Sequence, residues 1–495
     1  MLADYYLRSA VAAAQVLGGF DEGWFRARLE STPIGISIGT DGHSEEGVAL
    51  ADLLVRIAAR IYPALALVGD HSTIAPLAKL AKAINPNIDL LEEATLGVAV
   101  GGGKTFATTI YAGCDGWDGF VSGTEPQNVG ASDNPFGAGV AACLAAANLF
   151  RTVFLPDREA RIDERVRFSA FSREMADAAR TAPTPWHLRD DAVLVGAGAV
   201  GQGALWALSR TPLGGRLHVV DMEVVELSNL QRYVLTERAD EDRDKVEIAA
   251  ALSSKLELVP HAEDLAAFLA ENGYRWEAML LALDSARDRV SAQASLPRFV
   301  ANAWTQPGDL GVASHSRFGG EGACVACLYL PEARLKNEDE LVAETLGIQQ
   351  LVMQVRRLLV GGEPVDRGFL DAVAQAVGQP LEALLPFEGR TVRELYVEGF
   401  CGGAVIPVGQ AGQLHHAAQE VHVPLAHQSA LAGVLLAAAL VRHAIVGEEE
   451  LTQVTRLDVL KPVGQTFRQP LRARRDGRCI CDDADFVAAY AAKYH

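Results

Sequence analysis

The chain lacks the basic footprint of a nucleic-acid binder. Its 44 Lys and Arg are outnumbered by 63 Asp and Glu, and the formal charge is −19. A protein that neutralises phosphodiesters would gather basic residues on one stripe or patch, and none is evident. A solvated acidic surface explains the charge better than a dedicated basic partner does. A secretory leader is also missing, since Met-Leu-Ala-Asp-Tyr-Tyr-Leu-Arg brings an early acid and no basic opening. Long apolar runs are absent too: Leu431 to Val441 is apolar but too short to span a bilayer. These absences predict a cytoplasmic protein with no membrane and no nucleic-acid partner. What remains is ordinary globular composition, 49% hydrophobic and 22% charged, with length enough for two or three domains.

Alternating helix and strand signals open the chain. Gly47 to Ala59 carries an apolar helical face, and Ala64 to Gly69 reads as a short buried strand. Ile74 to Ile84 reads as a helix, and Thr95 to Val100 as another strand. The alternation predicts a parallel sheet. Gly69-Asp70-His71-Ser72-Thr73 contains no glycine-rich turn, so this module reads as a nucleotide-type fold without a nucleotide site. Gly101-Gly102-Gly103-Lys104-Thr105 resembles the end of a phosphate loop, but position 98 is Val where that loop needs Gly. A plain turn is the expectation. Arg158 to Arg189, charged and bearing Pro183 and Pro185, reads as a connector.

The resulting division is residues 1–185, then 186–450, then a closing segment 451–495. An acidic helical insert spans about 335–395. Asn134 to Arg151 and His427 to Val441 are similar small-residue helices, each closing its module, as distant repeats would.

The chemistry concentrates after residue 191. Gly196-Ala-Gly198-Ala-Val-Gly201 follows the strand Ala192 to Val195 and opens a helix. Gly196 permits the tight turn, Gly198 lets phosphate approach the backbone, and Gly201 lets helix pack on strand. The helix N-terminus then offers free N–H groups to an anion. Asp221 lies where such folds put an acid on the ribose hydroxyls. Asn229, Arg232 and Lys245 follow on the next loop and helix, and two cations with an amide suit a triphosphate better than a nicotinamide ring. Asp284, ending the strand that starts at Ala278, is a candidate Mg²⁺ ligand. Arg289 reads either as a phosphate ligand or as a brace for Asp284.

Four of the seven cysteines form two close pairs, Cys324/Cys327 and Cys479/Cys481. In a cytosolic setting such pairs point to a metal rather than to disulfides, and together they would make one structural Zn²⁺ site. Cys143, in an Ala-rich helix, reads as a small buried hydrophobe. Cys401, in Glu-Gly-Phe-Cys-Gly-Gly, sits where an exposed turn is expected.

Four stretches resemble the ubiquitin-activating enzyme superfamily, which includes the bacterial ThiF and MoeB proteins. They are Gly-Ala-Gly-Ala-Val-Gly, Val-Val-Asp-Met-Glu-Val-Val-Glu-Leu-Ser-Asn-Leu-Gln-Arg ending at Arg232, Asp-Lys-Val-Glu at 244–247, and Leu-Asp-Ser-Ala-Arg-Asp-Arg at 283–289. The resemblance implies ATP with Mg²⁺: Asp221 on the ribose, Asn229, Arg232 and Lys245 on phosphates, and Asp284 on the metal. The family commonly has Asp-Asn where this chain has Asp284-Ser285. It further implies two Rossmann-like modules paired as a pseudo-dimer, the first inactive, with an arginine lent across the pair. Arg8 is a candidate for that arginine.

The implied reaction adenylates the C-terminal glycine of a ubiquitin-like protein. A cysteine in the crossover region, here Cys401, would then take the product as a thioester for a conjugating enzyme. His422 and His427 lie downstream of it. Size and the spare cysteine resemble activating enzymes of bacterial ubiquitination-like operons, such as the Bil antiphage systems. Other readings stay open: MoeB- or ThiF-type adenylation of a sulfur carrier without a thioester, an NAD-dependent oxidoreductase, and a non-catalytic ATP-binding scaffold. A homodimer is open as well.

Overall fold

The computed structural model describes residues 2–155, 162–175, 186–330, 338–401, 423–449, 451–463 and 467–494, without the side chains of 397, 398, 401, 467 and 468. Two compact units divide the chain: Met1–Leu330 with Val423–His495, and Pro331–His422.

The larger unit is built twice over. Its first half runs α1 (Tyr6–Val16), α2 (Glu22–Ser31), β1 (Ile34–Ile38), α3 (Glu45–Ile61), β2 (Ala64–Val68), α4 (His71–Ile84), β3 (Asp89–Leu91), β4 (Leu96–Val100), β5 (Thr108–Asp115), β6 (Asp118–Ser122), α5 (Phe136–Phe154), β7 (Arg165–Ser169) and β8 (Glu174–Met175). Its second half runs β9 (Ala192–Val195), α6 (Ala199–Leu208), β10 (Gly215–Val220), α7 (Lys245–Ala250), β11 (Leu256–His261), α8 (Leu265–Asn272), β12 (Ala278–Leu281), α9 (Ala286–Gln293), β13 (Phe299–Gln306), β14 (Asp309–Ser316) and α10 (Val325–Tyr329). The smaller unit then supplies α11 (Glu338–Thr345), α12 (Val352–Gly361), α13 (Arg367–Val377), α14 (Val392–Glu394) and a π-helical stretch, Leu395–Cys401. The chain returns through α15 (Ala426–Val446), β15 (Thr452–Leu457), β16 (Phe467–Leu471) and α16 (Ala484–Tyr494).

The two sheets have the same plan. One is ordered β3-β2-β1-β4-β5-β6-β7-β8 and the other β11-β10-β9-β12-β13-β14-β15-β16. In each, the first five strands are parallel and the last three antiparallel. Central strands such as β1 and β9 are buried at every position, as parallel strands covered on both faces require.

This plan corrects several expectations. The first strand is β1, so the segment that corresponds to the glycine turn is Gly39–Ser44, not Gly69–Thr73. It forms a short 3₁₀ turn, and Ser44 then caps α3 by accepting from Gly47 N at 3.1 Å. The stretch expected to be a connector contains β7 and the edge strand β8, and charged residues alternate along β7. β15 and β16 extend the second sheet. Gly101 to Thr105 leads into β5 with no helix behind it, as expected of a plain turn.

The matching helices α5 and α15 pack on each other, and α15 packs on α6. Both are long and apolar enough to cross a membrane, yet they are buried within the fold. In α15 the apolar surface runs beyond Leu431 to Val441 because core packing continues past it. Each long helix also reaches across to the other half. Arg151 on α5, buried with Asp163 at 2.8 Å, donates to Val459 O at 2.7 Å and Lys461 O at 2.8 Å. Arg442 on α15 donates to Phe171 O at 2.8 Å.

The smaller unit has a helical core of its own, including Leu346, Val355, Leu370, Phe387 and Leu395. Asp366 caps α13 by accepting from Phe369 N at 2.8 Å.

Candidate functional site

The turn from β9 into α6 needs glycine at two points. Gly196 has φ +97°, and a Cβ there would stand 2.7 Å from Ala282 O. A Cβ on Gly201 would stand 2.1 Å from Gly196 O. Asp221, just after β10, fastens the turn: Oδ2 accepts from Ala197 N at 2.7 Å and Oδ1 from Glu223 N at 2.9 Å. The acid expected on the ribose therefore lies against the glycine turn.

Next come the cations. Asn229 is buried and caps a 3₁₀ turn, its Oδ1 accepting from Glu226 N at 3.0 Å. Arg232 closes that turn, and its Nη1 is buried with no hydrogen-bond partner among the described residues. Burial pulls its pKa down, Tyr233 opposes the shift, and the charge of Arg8 adds to it. Lys245 is buried and paired with Glu223. Burial opposes its charge, but Tyr233, Glu223 and Asp221 outweigh that, and its pKa rises. Arg232 and Lys245 share the Tyr233 ring, 5.4 Å and 5.3 Å from its centroid. Asp284 is exposed three residues beyond β12, and its charge acts on Arg232. Ser285 caps α9 instead of facing the site. Arg289 braces the strand end by donating to Leu283 O at 2.9 Å, with Tyr329 as its second partner.

The first half contributes Arg8, a candidate from the sequence, and two arginines that sequence reasoning missed, Arg60 and Arg56. α1 packs on the turn bearing Asn229 and brings Arg8 into electrostatic reach of Arg232. Arg60, on α3 and fully buried, donates to Tyr233 O at 3.1 Å and 2.5 Å and to Thr236 O at 2.5 Å. Arg56 donates to Val234 O at 3.1 Å. Burial pushes the Arg60 guanidinium down to about 10, which leaves it charged at neutral pH. Arg60→Ala removes the donor from Thr236 O, at about 1–3 kcal/mol for a carbonyl left buried without a partner, whereas Tyr233 O keeps Thr236 N at 3.1 Å and Thr236 Oγ1 at 2.7 Å. Urea unfolding is expected to show that loss together with weaker ATP binding; an unchanged midpoint rules out the brace.

The corresponding position in the first half already holds an anion. Glu46, in the first turn of α3, is buried and accepts from Gly116 N at 2.9 Å, Ser132 N at 2.9 Å and Ser132 Oγ at 2.7 Å. The first turn of α3 thus carries the chain's own carboxylate, tied to Gly116 and Ser132, while Ser44 caps the helix.

The four paired cysteines converge. Their sulfurs all lie within 4.8 Å of one another, and all four residues are buried. Five of the six separations run from 3.3 Å for Cys327–Cys479 to 3.9 Å for Cys324–Cys327. Thiolates around one tetrahedral Zn²⁺ would stand about 3.8 Å apart, so the donor set fits that ion. Arg474 N lies 3.5 Å from Cys327 Sγ, and Phe318, Leu296 and Tyr490 pack around the cluster.

A family model described as the ThiF family matches residues 187–480. The chain belongs to the ThiF family. A second model, described as Prokaryotic E2 family C, matches residues 40–155, within the first half of this ThiF protein. The two cysteines in that stretch, Cys114 and Cys143, are buried, and burial pushes both thiols well up. The uncharacterized protein y4jF of Sinorhizobium fredii is 41% identical over 510 residues, covering 100% of this chain and 97% of its own length. Solved structures of E. coli MccB are more distant. That with MccA-N7isoASN is 11% identical with TM-score 0.35, covering 60% of this chain and 68% of that one. That with ATP is 16% identical with TM-score 0.23, covering 25% and 40%.

Cys401 ends the π-helical stretch of the smaller unit, and its side chain lies outside the described residues. His415, His416 and His422 lie outside them as well. His427 is in the core against Phe150, and burial holds its pKa down at about 3. It is uncharged there and is not a proton carrier for a surface reaction.

Proposed function

We propose that this ThiF protein uses ATP to adenylate the C-terminal glycine of a ubiquitin-like protein. The observation that carries the reading is the set of cations around the glycine turn: Arg232 with a buried, unpartnered Nη1, Arg8 beside it, and Lys245 on the shared tyrosine. Buried positive charge with spare donors is suited to a phosphate chain. Asp221 would take the ribose and Asn229 would help hold the phosphates. Asp284, exposed and without a hydrogen bond among the described residues, would hold Mg²⁺, which supplies charge neutralisation at the phosphates. Cys324, Cys327, Cys479 and Cys481 would hold a structural Zn²⁺. The halves act as a pseudo-dimer in which Glu46 keeps the first silent and Arg8, Arg56 and Arg60 serve the second.

In this reading Cys401 receives the activated carboxyl. The thiolate attacks the acyl adenylate, a carbon–sulfur bond forms, and AMP leaves. The thioester then passes to a conjugating enzyme, as in a bacterial ubiquitination-like operon of the antiviral kind, in the cytoplasm.

The test is incubation with ATP, Mg²⁺ and candidate ubiquitin-like proteins, read on non-reducing gels and by ATP–pyrophosphate exchange. A thiol-sensitive adduct is expected, and Cys401→Ala is expected to abolish it while exchange continues. An adduct that survives this substitution moves the thioester elsewhere. Exchange without an adduct in the unaltered protein establishes the sulfur-carrier reading.

A further inference from the structure

The Tyr233 hydroxyl is hydrogen-bonded to Lys245 and stands beside the glycine turn. The residue is nearly sealed from solvent, at 5% exposure. Its Oη stands 3.2 Å from the point where a Cβ on Gly198 would be. Gly198 is the N-cap of α6 and has no side chain, so this hydroxyl approaches the N-terminus of that helix. Arg232 and Lys245 stand 5.4 Å and 5.3 Å from the ring centroid. The backbone beneath it is held by Arg60. A phenylalanine would keep the ring contacts and lose the hydroxyl together with its hydrogen bond to Lys245.

We infer that Tyr233 is a phosphate-recognition residue: its ring attracts the two cations and its hydroxyl adds a neutral donor, so that the site selects the phosphate chain of ATP. The inference rests on the nucleotide reading above and extends it to a residue outside the motif that carries that reading. Two cations near one another repel. An aromatic ring within reach of both attracts both and offsets that repulsion. A hydroxyl donating to a phosphate oxygen makes a charge-assisted bond, which is stronger than a neutral one.

Full-length protein, Tyr233→Phe and Tyr233→Leu are titrated calorimetrically with Mg²⁺-ATP and with adenosine. Tyr233→Phe is expected to weaken ATP by about tenfold or more, the effect of losing one hydrogen bond to a charged group, and to leave adenosine unchanged. Tyr233→Leu is expected to weaken ATP further, again sparing adenosine. ATP affinity within twofold of the parent in Tyr233→Phe overturns the inference. Equal losses for ATP and adenosine also overturn it, because a merely structural role would produce them. A parent protein that binds neither ligand removes the nucleotide reading and this inference with it, whereas ATP binding with indifferent variants removes this inference alone. Thermal melts accompany each variant, and Tyr233→Phe, which keeps the packed ring, is expected to melt with the parent.

Discussion

Arg232→Ala is expected to cut ATP–pyrophosphate exchange by about 10²–10³-fold, the loss typical of one preorganised donor aimed at developing charge. The reasoning begins with what Arg232 does without a ligand. Its Nη1 is buried and has no hydrogen-bond partner among the described residues, while Arg8 crowds it with like charge. A guanidinium kept in that state is poorly satisfied until an anion arrives. Removing it relieves repulsion in the free protein and removes attraction in the complex, so binding and turnover suffer more than folding. Arg232→Lys is expected to restore little, because a point charge lacks the planar fork. Exchange kinetics and a urea melt separate the effects. A loss below tenfold takes Arg232 out of the phosphate site.

Cys479→Ser is expected to strip the chain of its metal and loosen its C-terminal end. The parent is expected to carry one Zn²⁺ per chain by elemental analysis, and the variant well under half. The cluster joins residues just past β14 to residues between β16 and α16, so its loss should appear as faster amide exchange across α16 and around Cys324. Binding energy at a structural zinc site is folding energy, about 10–16 kcal/mol in small zinc peptides, so even a fraction of it would lower the melting point measurably. The parent should also release metal as pH falls, because thiolates must be deprotonated to bind. Full metal content in Cys479→Ser refutes the assignment.

Local motifs were legible because their geometry is local. A strand, three glycines and a helix place Ala197 N on Asp221 within about 25 residues, and backbone rules alone lead there. Asn229 and Arg232 follow on one short turn. The corresponding region of the first half was harder to read. β1 had gone unrecognised, and Glu46 does its work through Gly116 and Ser132, some 70 and 86 positions away. β7 and β8 are hard to read for a related reason: short antiparallel strands at and next to a sheet edge expose charged residues and carry weak apolar patterns.

By itself the sequence determined the nucleotide turn, its acid and its first cations, because each depends on a few neighbouring residues with restricted backbone choices. It also supplied two cysteine pairs of the right type for a thiolate site. Only the tertiary structure decided that those pairs, up to 155 positions apart, meet in one cluster. It alone brought Arg8 to Arg232, and Arg60 to a carbonyl 173 positions further on. Long-range partners are set by how two similarly ordered sheets pack through α5, α15 and α6, and that packing is a property of whole helix faces that no short stretch of residues specifies.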